Sequence, residues 1–212
     1  MTAADDKSKH WNQVYSTKLE SGVSWYSPHL ELSLELISNS GITKDASIID
    51  VGGGASTLVD DLYADGYADL SVLDLSMAAL ELAKERMGAN AEHVNWIAGD
   101  ITKIGLERQK YDLWHDRAVF HFLTEPEQRK RYVEQVAHAV RDGGTVIIAT
   151  FGTKGPEQCS SLPIVRYSDD QLHSEFGASF DLVNSTIEMH ETPWGAEQEF
   201  VYCCCRKQST EA

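Results

Sequence analysis

Residues 48–56 read IIDVGGGAS. An apolar run carries one aspartate and then breaks into three consecutive glycines. Glycine loses more conformational freedom on folding than any other residue. Three in a row after a buried run therefore mark a place where the backbone itself must stay bare. Parallel α/β sheets bind ligands at the carboxyl ends of their strands, and the following helix turns its N-terminus to the same spot. The stretch predicts a strand ending at Val51, a ligand-binding turn at Gly52, Gly53 and Gly54, and a helix beyond Ser56.

On either side of this turn, strands and helices alternate. After it, STLVDDLYADG reads as a helix stopped by Gly66, DLSVLDLS as a strand, MAALELAKERMG as a helix stopped by Gly88, and VNWIAGD as a strand. YDLWHDRAV is a strand running into a loop. EPEQRKRYVEQVAHAVRDGG is a long helix, with Thr124 as its expected N-cap and Pro126 in its first turn. TVIIATF is apolar throughout, as a strand buried on both faces should be. This alternation predicts a parallel sheet covered by helices on both sides. The pattern changes after residue 151. A loop rich in Gly, Pro and Ser, a short helix at SDDQLHSEFG, and two strands joined by PWGA follow, and two strands so joined pair antiparallel. Before the core, Leu30, Leu34 and Ile37 stand at helical spacing, Gly41 is a helix stop, and residues 1 to about 10 read as disordered.

The chain has 212 residues, 18 basic against 33 acidic, and a net charge of -15. An acidic surface repels phosphate backbones, so nucleic acid is a poor partner. It also makes neutral or cationic substrates easier to accept than strongly anionic ones, unless a local patch overrides it. No apolar run reaches the length of a membrane span, and the polar N-terminus has no secretory signal, which gives the cytoplasm as the expected compartment. The four cysteines, Cys159 and the run Cys203 to Cys205, fit no zinc spacing. They read as small buried hydrophobes, Cys203 and Cys205 facing one way and Cys204 the other. No metal site is expected.

The glycine stretch, D-x-G-x-G-x-S over Asp50, Gly52, Gly54 and Ser56, is wrong for a dinucleotide site, which has G-x-G-x-x-G. A carboxylate ahead of the glycines repels pyrophosphate but suits an ammonium or hydroxyl groups. Two more strand ends carry one: Asp74 in VLDLS and Asp100 in AGDIT, 24 and 26 residues further on in turn. With DVGGGAS, VLDLS, AGDIT and YDLWHDRAVFHFL in that order, the chain resembles the class I S-adenosylmethionine-dependent methyltransferases over roughly residues 45–205. Ser56 stands where the third glycine often lies. The resemblance implies a Rossmann-like, seven-stranded, mostly parallel sheet with helices on both faces and an antiparallel last strand pair. It divides the chain into an N-terminal lid segment (1–40), the methyltransferase domain (41–207) and a tail (208–212). It also implies that Asp50 with Gly52, Gly53, Gly54 and Ser56 holds the methionine part of S-adenosylmethionine. Asp74, with Leu75, would take the ribose hydroxyls, and Asp100, with Ile101, the adenine amine; the product would be S-adenosylhomocysteine.

For the methyl acceptor, WHDRAVFHFL brings His115, Asp116, Arg117 and His121 to the end of the fourth strand. A His beside an Asp suggests a general base; the plainer reading is an Asp116–Arg117 ion pair and a packed His121. The loop after the fifth strand offers Cys159, Arg166 and Tyr167. Loops of such length without structure of their own are more often functional than incidental. Trp11, Tyr15, Trp25 and Tyr26 resemble an aromatic lid, with Trp25 able to pack on a sulfonium and His115 able to border the cofactor. The function expected is SN2 methyl transfer to a small acceptor, a thiol, sulfide or amine, by a monomer or homodimer. A protein lysine methyltransferase and a non-catalytic cofactor-binding protein are the alternatives.

Overall fold

The computed structural model describes residues 3–17 and 22–209. In chain order these form α1 (Ala3–Thr17), α2 (Glu31–Asn39), β1 (Ser47–Val51), α3 (Leu58–Ala64), β2 (Asp69–Asp74), α4 (Met77–Met87), β3 (Val94–Ala98), β4 (Tyr111–Arg117), α5 (Pro126–Ala139), β5 (Val140–Phe151), β6 (Gln158–Cys159), β7 (Leu162–Pro163), α6 (Asp169–Phe176), β8 (Phe180–Glu191) and β9 (Glu197–Lys207), with short 3-10 turns between some of them.

Seven strands make one sheet in the order β3-β2-β1-β4-β5-β9-β8. The first five run parallel, and β9 is antiparallel to both β5 and β8. The expected seven-stranded architecture with its antiparallel close is therefore present. The strand order reverses between β1 and β4. Such a switch point opens a crevice outside the carboxyl ends of the two strands, where residues 52–54 and 118–122 leave the sheet.

All five residues of β1 are buried, and strand alternation sorts its side chains. Ile49 and Val51 join Trp114, Ile148 and Val136 in the core under α5 and α6. Ile48 joins Leu113, Ile147, Ile37 and Leu58 in the core on the other face. Burying one aliphatic side chain contributes about 1.5–3 kcal/mol, so two filled faces hold β1 and its turn rigidly. The cysteine run obeys the same period: Cys203 and Cys205 lie in the first core and Cys204 in the second.

Several expectations need correction. Residues 3–10, read as disordered, are part of α1; residues 1, 2 and 210–212 lie outside the described residues. The N-cap of α5 is Glu125, without a side-chain cap bond, and not Thr124; Pro126 holds the first helical position. Strand β5 begins at Val140, ahead of the Gly143–Gly144 pair expected to precede it, because Val140 pairs with Tyr111 before the register shifts. The loop after β5 contains the β6–β7 hairpin.

Candidate functional site

A cavity of about 260 Å³ lies outside the carboxyl ends of β1, β2, β3 and β4. Its floor is the glycine turn. Gly52 has φ +73°, and a Cβ there would sit 1.9 Å from Val119 Cγ2. Gly54 has φ +45°, and a Cβ there would come within 2.8 Å of Asp74 Oδ2. Left-handed backbone and close approach thus both require glycine. A second space of about 50 Å³ adjoins the turn and is lined by Asp50, Gly53, Ser56 and His115, among others.

Asp74 and Asp100 line the larger cavity at the tips of β2 and β3, with Leu75 and Ile101 beside them. Asp74 is buried and accepts from the Ser76 N–H at 2.7 Å. Burial, with the nearby Asp50 charge, pushes its carboxyl up to about 7 against the pull of that hydrogen bond. Asp100 is half-buried. Burial works against its ionisation, but hydrogen bonds from Thr102 and Lys103 prevail and hold it below the usual carboxylate range.

Helix α1 lies across the cavity. Asn12 Oδ1 accepts from Ser76 Oγ at 2.9 Å and from the Ala78 N–H at 3.1 Å, so α1 shares in capping α4. Ser8 Oγ donates to the Leu75 carbonyl and Lys7 Nζ to the Phe122 carbonyl. Trp11 meets Trp25 edge to face at 5.7 Å and Phe122 at 5.2 Å. These three rings and Tyr15 all line the cavity.

The strand tip of β4 splits its residues by face. His115 points to the α2 side, where Nδ1 meets Asp50 Oδ1 at 2.7 Å and Nε2 meets Ser33 Oγ at 2.9 Å. Asp116 points to the other side, fully buried. It accepts from Tyr132 OH and from the Val119 N–H, and burial raises its carboxyl to about 6 despite the Tyr132 bond. Neighbours on a strand face opposite ways, so His115 and Asp116 do not form a base pair of residues. Nor do Asp116 and Arg117 pair with each other. Arg117 meets Glu188 at 3.3 Å, donates to Tyr202 OH at 2.9 Å and to the Trp25 carbonyl at 3.1 Å, and stacks on Phe200.

A bare glycine turn, a carboxylate at each of the next two strand tips, and apolar walls between them suit an adenosine carrying an amino-acid tail. The matching sequence evidence lies over the same segment. Residues 48–144 match the family model described as "Methyltransferase domain". This match supports a place for the chain in the class I S-adenosylmethionine-dependent methyltransferase family. S-Adenosylmethionine is the cofactor of this family. The chain is 27% identical to a malonyl-[acyl-carrier protein] O-methyltransferase of Anoxybacillus flavithermus over 156 residues, covering 72% of this chain and 58% of that protein. It therefore spans little more than half of that relative's length. It is 24% identical to the EEF1A lysine methyltransferase 2 of Danio rerio over 189 residues, covering 82% of this chain and 75% of the other. A structure solved in a study of the conversion of a disulfide bond into a thioacetal group during echinomycin biosynthesis superposes with TM-score 0.78 at 16% identity. That match covers 97% of this chain and 93% of the other, and it is a likeness of fold.

Of the residues expected to meet the cofactor, Trp25, Gly52, Asp74, Leu75, Asp100 and Ile101 line the larger cavity. Asp50, Gly53, Ser56 and His115 border the smaller one, where Trp25 and Gly52 appear again. Gly54 underlies Asp74. Ser56 Oγ also accepts from the Leu58 N–H at the start of α3. Of the acceptor candidates, Arg117 and Cys159 line the larger cavity; Asp116, His121, Arg166 and Tyr167 line neither space. His121 is fully buried against Phe122 and Phe151, and burial, helped by the Arg117 charge, lowers its imidazole to about 3. Arg166 binds the Gly155 carbonyl and Glu157. Tyr167 is buried beside Phe120, its hydroxyl near Glu175.

The sequence reading missed Ser33, Tyr202 and Glu188. Ser33 had a signal: it breaks the apolar stripe of α2 yet is fully buried. Among the described residues, no helix is long and apolar enough to cross a membrane, and no cluster of three His, Cys, Asp or Glu side chains is placed to hold a metal.

Proposed function

We propose that this chain transfers a methyl group from S-adenosylmethionine to a small acceptor, with thiols and sulfides the first candidates. The observation that carries the proposal is the cavity at the strand tips, with carboxylates at two of them on one side of the glycine turn and aromatic rings toward the tip of β4. Asp50 and the glycine turn would hold the amino-acid end of the cofactor, Asp74 its ribose and Asp100 its adenine. When bound, the cofactor would supply an electrophilic sulfonium methyl for in-line displacement by the acceptor.

The protein's part is to align the two partners and exclude water, which can carry much of such a barrier. Helix α1 supplies the cover. Trp11, Trp25 and Phe122 narrow the space over the tip of β4, which favours a low-mass acceptor over a side chain presented by a folded partner. Lysine methylation is the second reading, favoured by the Danio rerio relative, which is matched over most of both chains.

Calorimetry with S-adenosylmethionine and S-adenosylhomocysteine, followed by release of S-adenosylhomocysteine in the presence of low-mass thiols and amines, tests the proposal. Micromolar binding of both with turnover of a small acceptor is expected. Binding without small-acceptor turnover, combined with labelling of one protein in a lysate, would favour the lysine reading. Binding with neither would leave a non-catalytic cofactor-binding protein.

A further inference from the structure

The larger cavity carries a charge balance opposite to that of the chain. The whole sequence has 18 basic and 33 acidic residues, yet among the described residues the cavity is lined by Lys7, Lys103, Arg117 and Arg131 against Asp74 and Asp100. Both carboxylates stand at the tips of β2 and β3. The β4 tip, across the glycine turn, presents Arg117 with Trp25, Ala118, Phe122 and Cys159, and Lys7 Nζ reaches the Phe122 carbonyl there.

We propose that Arg117 binds the methyl acceptor and that the acceptor is an anionic nucleophile, a thiolate or a carboxylate, on an apolar or aromatic body. The inference rests on the methyl-transfer reading of the cavity and narrows its acceptor. The side chain of Arg117 is 5% exposed. Its guanidinium is fixed from three sides, by Tyr202 OH, the Trp25 carbonyl and Glu188, and from below by the Phe200 ring at 4.1 Å. A guanidinium has more N–H donors than these three contacts use, and one held this firmly loses little further freedom on binding a ligand. Glu188 offsets its charge from β8 but does not line the cavity.

An alkylammonium acceptor would meet a fixed cation here. It would also have to lose its proton where no histidine, among the described residues, lines the larger cavity. His115 has both ring nitrogens engaged, and His121 is buried behind Phe122. A thiol or carboxylic acid ionises more readily, and a guanidinium alongside favours its anion. The acidic surface expected to disfavour anionic substrates is thus overridden inside the cavity. Trp11, Trp25 and Phe122 supply the walls for the acceptor's apolar body.

The test uses the full chain saturated with S-adenosylhomocysteine and titrated with benzoate, thiophenol and benzylamine, which share a ring and differ in charge. Turnover of the same three with S-adenosylmethionine is followed in parallel. Benzoate or thiophenolate should bind at least about tenfold tighter than benzylamine and lead in turnover. Arg117→Met should weaken the anion by at least about 30-fold while S-adenosylhomocysteine affinity changes less than about threefold. Glu188→Gln, which frees the guanidinium of its counter-charge, should tighten the anion several-fold, a change of sign that a poorly folded variant does not give. The proposal is overturned by preference for benzylamine, by binding of neither anion to the loaded protein, or by anion affinity unmoved in both variants. It is also overturned if cofactor-product affinity falls in step with anion affinity in Arg117→Met, which would give the guanidinium to the cofactor. Failure of the wild-type chain to bind S-adenosylhomocysteine is a separate result, and it would remove the methyl-transfer reading itself.

Discussion

The two ends of the large cavity are built differently. At the end proposed for the cofactor, each feature comes from one short segment: a strand, its tip, and the turn that follows. Asp74 is fixed by the Ser76 N–H two residues on, and Asp100 by the Thr102 N–H and hydroxyl two residues on. At the end proposed for the acceptor nothing is local. Arg117 is set by Trp25, Glu188, Phe200 and Tyr202, which come from the N-terminal segment and the last two strands. Recognition of a shared cofactor needs a backbone pattern that short motifs can carry. Recognition of an acceptor depends on which distant side chains the antiparallel end of the sheet and the N-terminal segment bring to the tip of β4.

This contrast can be broken at the cofactor end first, where the largest effect is expected. Asp74→Ala should weaken S-adenosylhomocysteine by about 100-fold, since it removes a charged acceptor for two hydroxyls; near-wild-type affinity in calorimetry would remove Asp74 from the ribose site. The same carboxyl should give a pH signature. Its value is raised to about 7 in the free protein. Hydroxyl donors favour its ionised form, so affinity should be highest above pH 7 and fall by about tenfold near pH 6, and Asp74→Asn should flatten that profile. For folding of the free protein the sign is reversed. The fold holds this proton more tightly than the unfolded chain does, so Asp74 lowers stability progressively as pH rises from 3.8 toward 7.

A smaller effect separates stability from binding at the tip of β4. Tyr132→Phe removes the hydroxyl that donates to Asp116 and accepts from Trp114 Nε1, which should cost about 1–3 kcal/mol in urea unfolding and leave cofactor affinity unchanged. A parallel loss of affinity would show that Asp116, although outside the cavity, positions the Val119 turn that crosses Gly52. The smallest effect is expected at the cover. Asn12→Ala removes one cap contact of α4 and one tether of α1, worth about 1 kcal/mol. It should speed release of S-adenosylhomocysteine about fivefold in stopped-flow measurements, with an unfolding cost of no more than about 1 kcal/mol.

Much of the fold was legible because its signals are periodic. The five parallel strands, their helices and the antiparallel close follow from alternation, apolar runs and glycine stops. The errors arose where tertiary contacts outweigh local signals. Residues 3–10 look polar and unstructured, yet they belong to a helix that Asn12 and Ser8 fasten to the sheet's carboxyl edge. Thr124 is a good cap by type, but the chain places Glu125 in the extended conformation that precedes the helix. The WHDR tetrapeptide misled most. Read as a string it offers a His–Asp pair and an Asp–Arg pair. Read as a strand it sends His115 and Arg117 to one face and Asp116 to the other, a consequence of period-two geometry already available in the sequence.

The sequence by itself determined the sheet, the bare turn at Gly52–Gly54 and the carboxylates at the tips of β2 and β3, because each depends on residues a few positions apart and on the backbone freedom of glycine. Only the tertiary structure decided that Ser33 caps His115, that Tyr202 and Glu188 hold Arg117, and that an acidic chain presents a cation at the tip of β4. Those relations join residues more than eighty positions apart in some cases, and no local pattern encodes which buried polar group will meet which. Packing of α2 onto one face of the sheet, and pairing of β9 and β8 at its antiparallel edge, supply the distances at which such groups must pair or leave their hydrogen bonds unmade.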